Sequence, residues 1–217
     1  MRKISRMIAA VATSLLLVAA MPLTALASTW TTEWTDYATL YPDGCYNVRN
    51  ISNLGGTWVT GHASEPAELS NIKSSKPGVA KASVTKASSK MNTLSVKAKK
   101  SGSTYISFKL NGKKVKQKLV VKNYVNPFKK ITVNGKNVTS RFDGVSVITL
   151  SYEQYKGKTV TIKWSGKKNW SVSDNTHSSS KRSFTVTEKT DVYFYCQSSK
   201  YSNSLSALSE SVYIRFV

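Results

Sequence analysis

Acidic residues are scarce in this sequence and unevenly placed. The 217 residues include 32 lysines and arginines but only 11 aspartates and glutamates, and none of these 11 lies between Glu68 and Asp143. That interval holds 18 basic residues, whereas the rest of the chain after residue 27 has 11 of each sign and is neutral. Scattered carboxylates do not indicate a glycosidase pair or a calcium site. The positive electrostatic field of such a segment attracts polyanions. Lysines on exposed strands also increase solubility, which is the alternative explanation.

Histidine and cysteine are also rare, with two of each. Neither His62 nor His177 lies in a zinc motif, and the sequence has no nucleophile elbow and no glycine-rich phosphate loop. We therefore expect a protein that is not an enzyme and that has no metal site and no cofactor. Two cysteines permit one disulfide, between Cys45 and Cys196, in an oxidising compartment. Alternation with apolar neighbours turns Cys196 inward and Cys45 outward, so the bonded and the free forms both stay open.

Long apolar runs are missing except near the start of the chain. Ile8 to Ala20 is apolar, basic residues precede it, and Ala25-Leu26-Ala27 supplies the small residues of a signal-peptidase site. We expect residues 1–27 to be a signal peptide. An uncleaved anchor is the weaker alternative, because the run is shorter than the ~20 residues of a membrane span. The mature chain is then expected to be secreted, without an integral membrane segment, and any retention at the cell surface would be non-covalent.

Helical periodicity is absent from the rest of the chain, and period-two alternation takes its place. Ile106, Phe108 and Leu110 alternate with polar residues before Asn111-Gly112, a pattern that predicts a hairpin with a type I′ turn. Short segments with similar turn signals recur after residue 128. We predict an all-β fold of two tandem immunoglobulin-like β-sandwich domains, over residues 38–124 and 125–217, joined near Asn123–Phe128.

An aromatic segment, residues 28–37, precedes the first predicted domain. Trp30, Trp34, Tyr37 and Tyr41 are spaced by four, three and four residues, as on one face of a helix. The threonines between them lower helix propensity. The segment is either an aromatic platform for sugar rings or a partner, or a short piece packed onto the first sandwich. We favour the second interpretation.

Two segments of the first domain resemble a known family. Ser74-Ser75-Lys76-Pro77-Gly78-Val79-Ala80 and Val96-x-Ala98-x-x-x-Gly102-x-Thr104-x-Ile106 are similar, in order and spacing, to bacterial immunoglobulin-like domains of group 2. The resemblance covers about residues 38–122, with Leu94 where the family often has glycine. It implies a bacterial, secreted or cell-wall-associated sandwich of the kind found in adhesins, with no shared active site. Phe184 to Tyr193 resembles, more generically, the late strands of extracellular immunoglobulin-like modules.

Two functions of different classes fit these features. The leading hypothesis is a non-catalytic binding or adhesion protein whose basic first domain contacts an anionic cell-wall or extracellular polymer, or a surface protein. DNA would bind only non-specifically, and because few aromatics interleave with the lysines in sequence, base stacking is not expected. The candidate residues are Lys97, Lys99, Lys109, Lys114, Lys116 and Lys118. The alternative is a carbohydrate-binding accessory module with stacking candidates Trp30, Trp34, Trp164 and Trp170. A hydrolase whose catalytic site has no recognisable sequence motif is the weakest hypothesis.

Overall fold

The computed structural model describes residues 33–42, 48–51, 53–54, 57–58, 68–88, 91–110, 112–174, 180–204 and 206–217. The expected signal peptide, residues 1–27, lies outside them. Strands dominate the described residues, which confirms the all-β class. In chain order they are β1 (Glu33–Leu40), β2 (Val48–Ile51), β3 (Asn53–Leu54), β4 (Thr57–Trp58), β5 (Leu69–Ser74), β6 (Ala80–Ser88), β7 (Met91–Ala98), β8 (Gly102–Leu110), β9 (Lys113–Asn123), β10 (Phe128–Val133), β11 (Lys136–Asn137), β12 (Val147–Leu150), β13 (Thr159–Gly166), β14 (Trp170–Asp174), β15 (Lys181–Thr185), β16 (Thr190–Ser202) and β17 (Ala207–Phe216). A 3₁₀ turn (Thr139–Phe142) and the helical turn α1 (Tyr152–Tyr155) complete them.

The first sandwich packs a sheet of order β1-β9-β8-β5 against a sheet of order β2-β7-β6. Leu94 of one sheet and Ile106 and Leu119 of the other are fully or almost fully buried in a shared core. The alternation seen in the sequence produces this core, because every second residue of β8 and β9 faces inward. When immunoglobulin letters B to G are given to β2, β5, β6, β7, β8 and β9, the sheets read B-E-D and C-F-G, the order of that fold.

The hairpin between β8 and β9 forms as the sequence predicts. Leu110 lies opposite Lys113, so two residues make the turn, and Gly112 has a φ of 77°. Glycine adopts this left-handed conformation without steric cost, whereas most side chains disfavour it. The turn therefore sets the register that places alternate residues of β9 on the core side and on the outer side.

The two segments that resemble the group 2 family contact each other. The buried hydroxyl of Thr104 accepts a hydrogen bond from the Lys76 backbone N–H at 3.0 Å and lies 3.0 Å from the Ser74 hydroxyl. Gly102 has a φ of 147°, and a Cβ there would lie 3.3 Å from the Val79 side chain. These contacts fasten the turn between β5 and β6 to the start of β8.

The second sandwich packs a sheet of order β11-β10-β13-β15 against a sheet of order β12-β17-β16-β14. Its core is aromatic: the Phe194 ring lies edge-on to those of Phe128, at 5.4 Å, and Trp164, at 5.1 Å. When letters A, B, C, E, F and G are given to β10, β13, β14, β15, β16 and β17, the sheets contain A-B-E and C-F-G. In both sandwiches an early strand pairs parallel with the last one, β1 with β9 and β12 with β17.

The segment Asn123–Phe128, where the domain boundary was expected, is a packed junction. Tyr124 stacks on Tyr41 with ring centroids 5.7 Å apart, and both rings belong to the second core. The buried Asn126 side chain donates to the Thr139 carbonyl at 2.9 Å and to an Asp143 carboxylate oxygen at 2.8 Å. Residues Thr32–Val217 accordingly form one unit.

The aromatic segment is extended rather than helical in its described part. β1 runs from Glu33 to Leu40 and pairs parallel with β9 along its whole length. Pairing with β9 satisfies backbone groups that a helix would satisfy internally, and the threonines suit a strand. The helical spacing of the aromatics was therefore coincidental over this range. β1 also reaches the second sandwich, because Thr39 Oγ1 donates to the Ser209 carbonyl at 3.1 Å.

Candidate polyanion-binding surface

Lysines of β5, β8 and β9 lie on the outer side of the sheet β1-β9-β8-β5. Lys114, Lys116 and Lys118 are exposed and alternate with buried residues of β9. Across the sheet, Lys109 lies opposite Lys114. Lys116 lies opposite Ser107, which in turn lies opposite Lys73 of β5. Residues directly opposite in neighbouring strands share a face, so one surface carries all five lysines, and we call it the lysine face: Lys73, Lys109, Lys114, Lys116 and Lys118.

A hollow of about 520 Å³ lies within the lysine face. It is lined by Asn71, Lys73, Ser107, Phe108, Lys109, Lys114, Val115 and Lys116. Phe108 and Val115 are buried, so strand backbone forms the floor between the outward-facing side chains. The side chains of four lysines therefore line one shallow depression together with Ser107.

A β-bulge in β5 shapes this hollow. Ser70 lies opposite Lys109 and Lys73 lies opposite Ser107, so Asn71 and Ile72 together face the single residue Phe108. Asn71 has a φ of 53°, in the left-handed region that asparagine tolerates better than most residues. Bulges redirect side chains and often lie beside functional sites. Here the bulge brings Lys73 level with Ser107 and Lys116.

The charges of the lysine face work against the stability of the sheet. Lys109 and Lys114 are a directly opposite pair of like charge, and such pairs destabilise a sheet. The Lys116 ammonium lies 4.6 Å from the centroid of the Tyr105 ring, a cation–π contact that directs it over the sheet surface. In the pairing of β1 with β9, on the side of β9 away from β8, Glu33 lies opposite Lys116. Positions 69–142 of the sequence contain no acidic residue.

The structure places only four of the six lysines predicted from the sequence on the lysine face. Lys109, Lys114, Lys116 and Lys118 come together on the lysine face. Lys97 of β7 lies opposite Lys81 on the outer side of the other sheet, so it cannot share a ligand site with the hollow. Lys99 follows β7, is exposed, and donates its backbone N–H to the Val79 carbonyl at 2.8 Å. Sequence reasoning missed Lys73, because the bulge that positions it leaves no clear alternation in β5.

The tryptophans give little support to sugar stacking. Trp164 is 5% exposed, and its indole N–H donates to the Val172 carbonyl at 3.2 Å. Trp170 is half-buried, packs against the second core and lies opposite the buried Ser198. It also lines a polar hollow of about 450 Å³ with Ser171 and Gln197, but by strand alternation its ring is on the side opposite to theirs. Trp30 lies outside the described residues, and the side chain of Trp34 is not among those described.

The remaining chemical candidates are structural where they are described. Cys196 is fully buried and has no disulfide partner within the described ranges, and burial raises the pKa of its thiol. Cys45, His62 and His177 lie outside those ranges. Asp174 is buried with one carboxylate oxygen 3.7 Å from an Arg182 guanidinium nitrogen. The described part of the chain contains no cluster of three histidine, cysteine or acidic residues that could hold a metal, and no helix in it could span a membrane.

A buried carboxyl group lies at the junction, away from the lysine face. Glu210 of β17 is 1% exposed, and one of its carboxyl oxygens accepts the Val125 backbone N–H at 3.2 Å. Its other oxygen, Oε2, and the Tyr124 hydroxyl have no hydrogen-bond partner among the residues described. Burial raises the pKa of Glu210 to about 8, which the Val125 N–H and the nearby Lys167 charge partly oppose. The carboxyl group is thus held in its neutral form at the pH where most carboxyls are charged.

Comparison with known proteins gives only distant likenesses. No protein-family model matches the chain, and no curated protein matches it. Solved structures with a similar arrangement of strands include domains 4–9 of the surface layer protein SbsC (15% identity, TM-score 0.30, 85% of this chain and 30% of that one). Others are invasin, a bacterial integrin-binding protein (14% identity, TM-score 0.25, 82% and 37%), and an endo-fucoidan hydrolase of glycoside hydrolase family 107 (9% identity, TM-score 0.28, 85% and 27%). The chain spans less than two fifths of each of these proteins. At TM-scores this low the likeness carries no argument about function, which therefore rests on the chain's own residues.

Proposed function

We propose that this chain is a non-catalytic, secreted or cell-surface binding protein that holds an anionic polymer on its lysine face. The observation that carries the proposal is the hollow in which Lys73, Lys109, Lys114 and Lys116 surround Ser107. An arrangement selected only for solubility would mix charges of both signs. Here lysines face each other across strands at some cost in stability, which is a common property of functional sites.

The geometry of the face favours a polymer over a small anion. Lys114, Lys116 and Lys118 follow one another on the same side of β9, about 7 Å apart. Each exposed ammonium contributes little by itself, because solvent-exposed ion pairs are individually weak and salt largely screens charges more than about 8 Å apart at physiological ionic strength. Affinity then comes from repeated contacts along a ligand with regularly spaced anionic groups. Such a face contacts charge without reading base edges, so DNA would bind without sequence specificity.

The proposal includes the setting of the protein as well as its ligand. Residues 1–27 would be a signal peptide, residues 38–124 a bacterial immunoglobulin-like domain of group 2, and residues 125–217 a second immunoglobulin-like domain. The group 2 assignment rests on the similarity of segments 74–80 and 96–106 to that family, and the two segments contact each other in the fold. Anionic wall polymers and acidic extracellular polysaccharides are the ligands that such a location would offer.

The test is retention of the full secreted chain on immobilised poly(glycerol phosphate), with uncharged dextran as the control matrix. The variant Lys109→Gln/Lys114→Gln/Lys116→Gln removes three of the four lysines that line the hollow. Its matched control, Lys81→Gln/Lys97→Gln/Lys99→Gln, removes the same charge from three exposed side chains on the other sheet and just after β7. The proposal expects early elution of the first variant only. Equal loss in both variants would show attraction by net charge alone, and unchanged retention of the first would assign the lysines to solubility.

A further inference from the structure

The outer side of β9 continues beyond the lysine face toward the second sandwich. Along this strand Lys118 is followed on the same side by Val120 and Lys122. Tyr37 of β1 lies opposite Val120 and therefore shares this side. The surface thus extends over the nine residues from Lys114 to Lys122, which is about 27 Å of strand.

A hairpin of the second sandwich lies over the far end of this surface. The ring of Tyr201, near the end of β16, is 6.3 Å from the Tyr37 ring, centroid to centroid. Two ammonium groups flank Tyr201: Lys122 at 4.6 Å from its centroid and Lys200 at 5.4 Å. Lys200 is exposed, whereas Tyr201, Tyr37 and Lys122 are half-buried. One tyrosine ring therefore joins a lysine of the first sandwich to a lysine of the second.

Hydrogen bonds fix the position of that hairpin against β1. The Asn203 side-chain amide donates to the Thr35 carbonyl at 2.9 Å, and its oxygen accepts the Ser206 backbone N–H at 2.8 Å. The Ser206 hydroxyl in turn donates to the Asp36 carboxylate. Lys200 and Tyr201 are consequently held beside β9 by contacts independent of their own side chains.

We propose that the two sandwiches present one continuous binding track for a linear polyanion, running from the lysine face through Lys122 to Lys200. The inference rests on the function proposed above and adds the shape of the ligand, an extended chain of anionic groups long enough to cross the junction. Each ammonium neutralises one anionic group of the chain, and the Tyr201 ring keeps the last two ammonium groups aligned with the others.

Binding of inorganic polyphosphate of two lengths to the full chain tests this track. One length covers only the lysine face, and the other reaches from Lys114 to Lys200. Each contact to a flexible polyanion makes the negative slope of log affinity against log salt steeper by about 0.7. Lys122 and Lys200 together should therefore make the slope about 1.4 steeper for the long chain than for the short one. Acidic polysaccharide and oligothymidylate fragments of matched lengths, measured in parallel, show whether sugar and nucleotide polyanions follow the same track.

Two variants separate the track from the lysine face itself. Lys122→Gln/Lys200→Gln should abolish the extra slope of the long chain and leave binding of the short chain unchanged. Asn203→Ala, which keeps every lysine but releases the hairpin from Thr35, should reduce the extra slope as well. The control Lys158→Gln/Lys189→Gln removes equal charge from exposed positions of the second sandwich and should change neither length. If wild-type slopes are equal for both lengths while the short chain still binds, the track is refuted and the proposed function stands. If the short chain does not bind, the proposed function is refuted, and the track that rests on it is refuted with it.

Discussion

Neutralising Glu210 permanently should remove a pH-dependent loss of stability at the junction. Its carboxyl group is buried where the junction segment meets β17, and its two neighbours with raised pKa values, Tyr41 and Tyr124, are also removed from water. A charged carboxylate at this place has only the Val125 N–H as a hydrogen-bond donor among the described residues. Ionisation there leaves a buried charge that the Val125 N–H and the nearby Lys167 charge compensate only in part, and this lowers the stability of the fold.

The sign of the effect follows from the two pKa values. In the unfolded chain Glu210 ionises near its ordinary pKa of 4.5, whereas in the folded chain the pKa is about 8. Between these values the folded state holds a proton that the unfolded state has released, so the free energy of unfolding falls as pH rises. The stabilisation of the fold by the protonated Glu210 is complete below the pKa of the unfolded chain, 4.5. It is lost as the pH rises from there to the pKa of the folded chain, about 8. The loss is about 1.4 kcal/mol per pH unit and on the order of 5 kcal/mol across the window.

The assay is urea unfolding of the wild type and of Glu210→Gln at several pH values from 5 to 8. Glutamine keeps an oxygen that accepts the Val125 N–H and cannot ionise, so the variant should be similar to the wild type near pH 5. Toward pH 8 the variant should become progressively more stable than the wild type. Other titrating groups contribute equally to both proteins, so their effect cancels when the free energy of unfolding of the wild type is subtracted from that of the variant. Parallel pH profiles would refute the assignment of a neutral, buried Glu210.

Two further predictions concern the described core of each sandwich. Thr104→Val should lower the free energy of unfolding by about 1–3 kcal/mol, because the Lys76 N–H and the Ser74 hydroxyl lose their common partner; equal urea midpoints for variant and wild type would contradict this. The Cys196 thiol, fully buried and with a raised pKa, should not react with Ellman's reagent in the native protein and should react after denaturation without reductant. A denatured monomer with no reactive thiol would instead show a disulfide between Cys45 and Cys196.

The strands and turns of this fold were largely predictable because local rules determine them. Alternation of Ile106, Phe108 and Leu110 identified the core side of β8, and Asn111-Gly112 identified the turn before Lys113. The structure also places lysines of β9 on an exposed side, as alternation requires. The position of β1 was not predictable in this way, because parallel pairing with β9 is a contact between residues about 80 positions apart.

Parts of the candidate surface depend on contacts that leave no local pattern. The bulge that turns Lys73 toward Ser107 is an irregularity of pairing rather than a motif. Assigning Lys97 to a different sheet from Lys116 required the strand order, since both alternate with residues that face a core. Sequence spacing also suggested that aromatics interleave poorly with the lysines. In the fold, however, Tyr105 lies beside Lys116, and Tyr201 lies beside Lys122 from 79 residues away.

The salt dependence of binding to poly(glycerol phosphate) tests the central claim most directly. For the lysine face alone, with its five lysines each neutralising one anionic group, the slope of log affinity against log salt is about −3.5, as for flexible single strands. Raising salt fourfold, from about 50 to about 200 mM, then lowers wild-type affinity about 130-fold. With only Lys73 and Lys118 of this face left in the Lys109→Gln/Lys114→Gln/Lys116→Gln variant, the same change lowers affinity about sevenfold. A variant slope equal to that of the wild type would contradict binding at the lysine face.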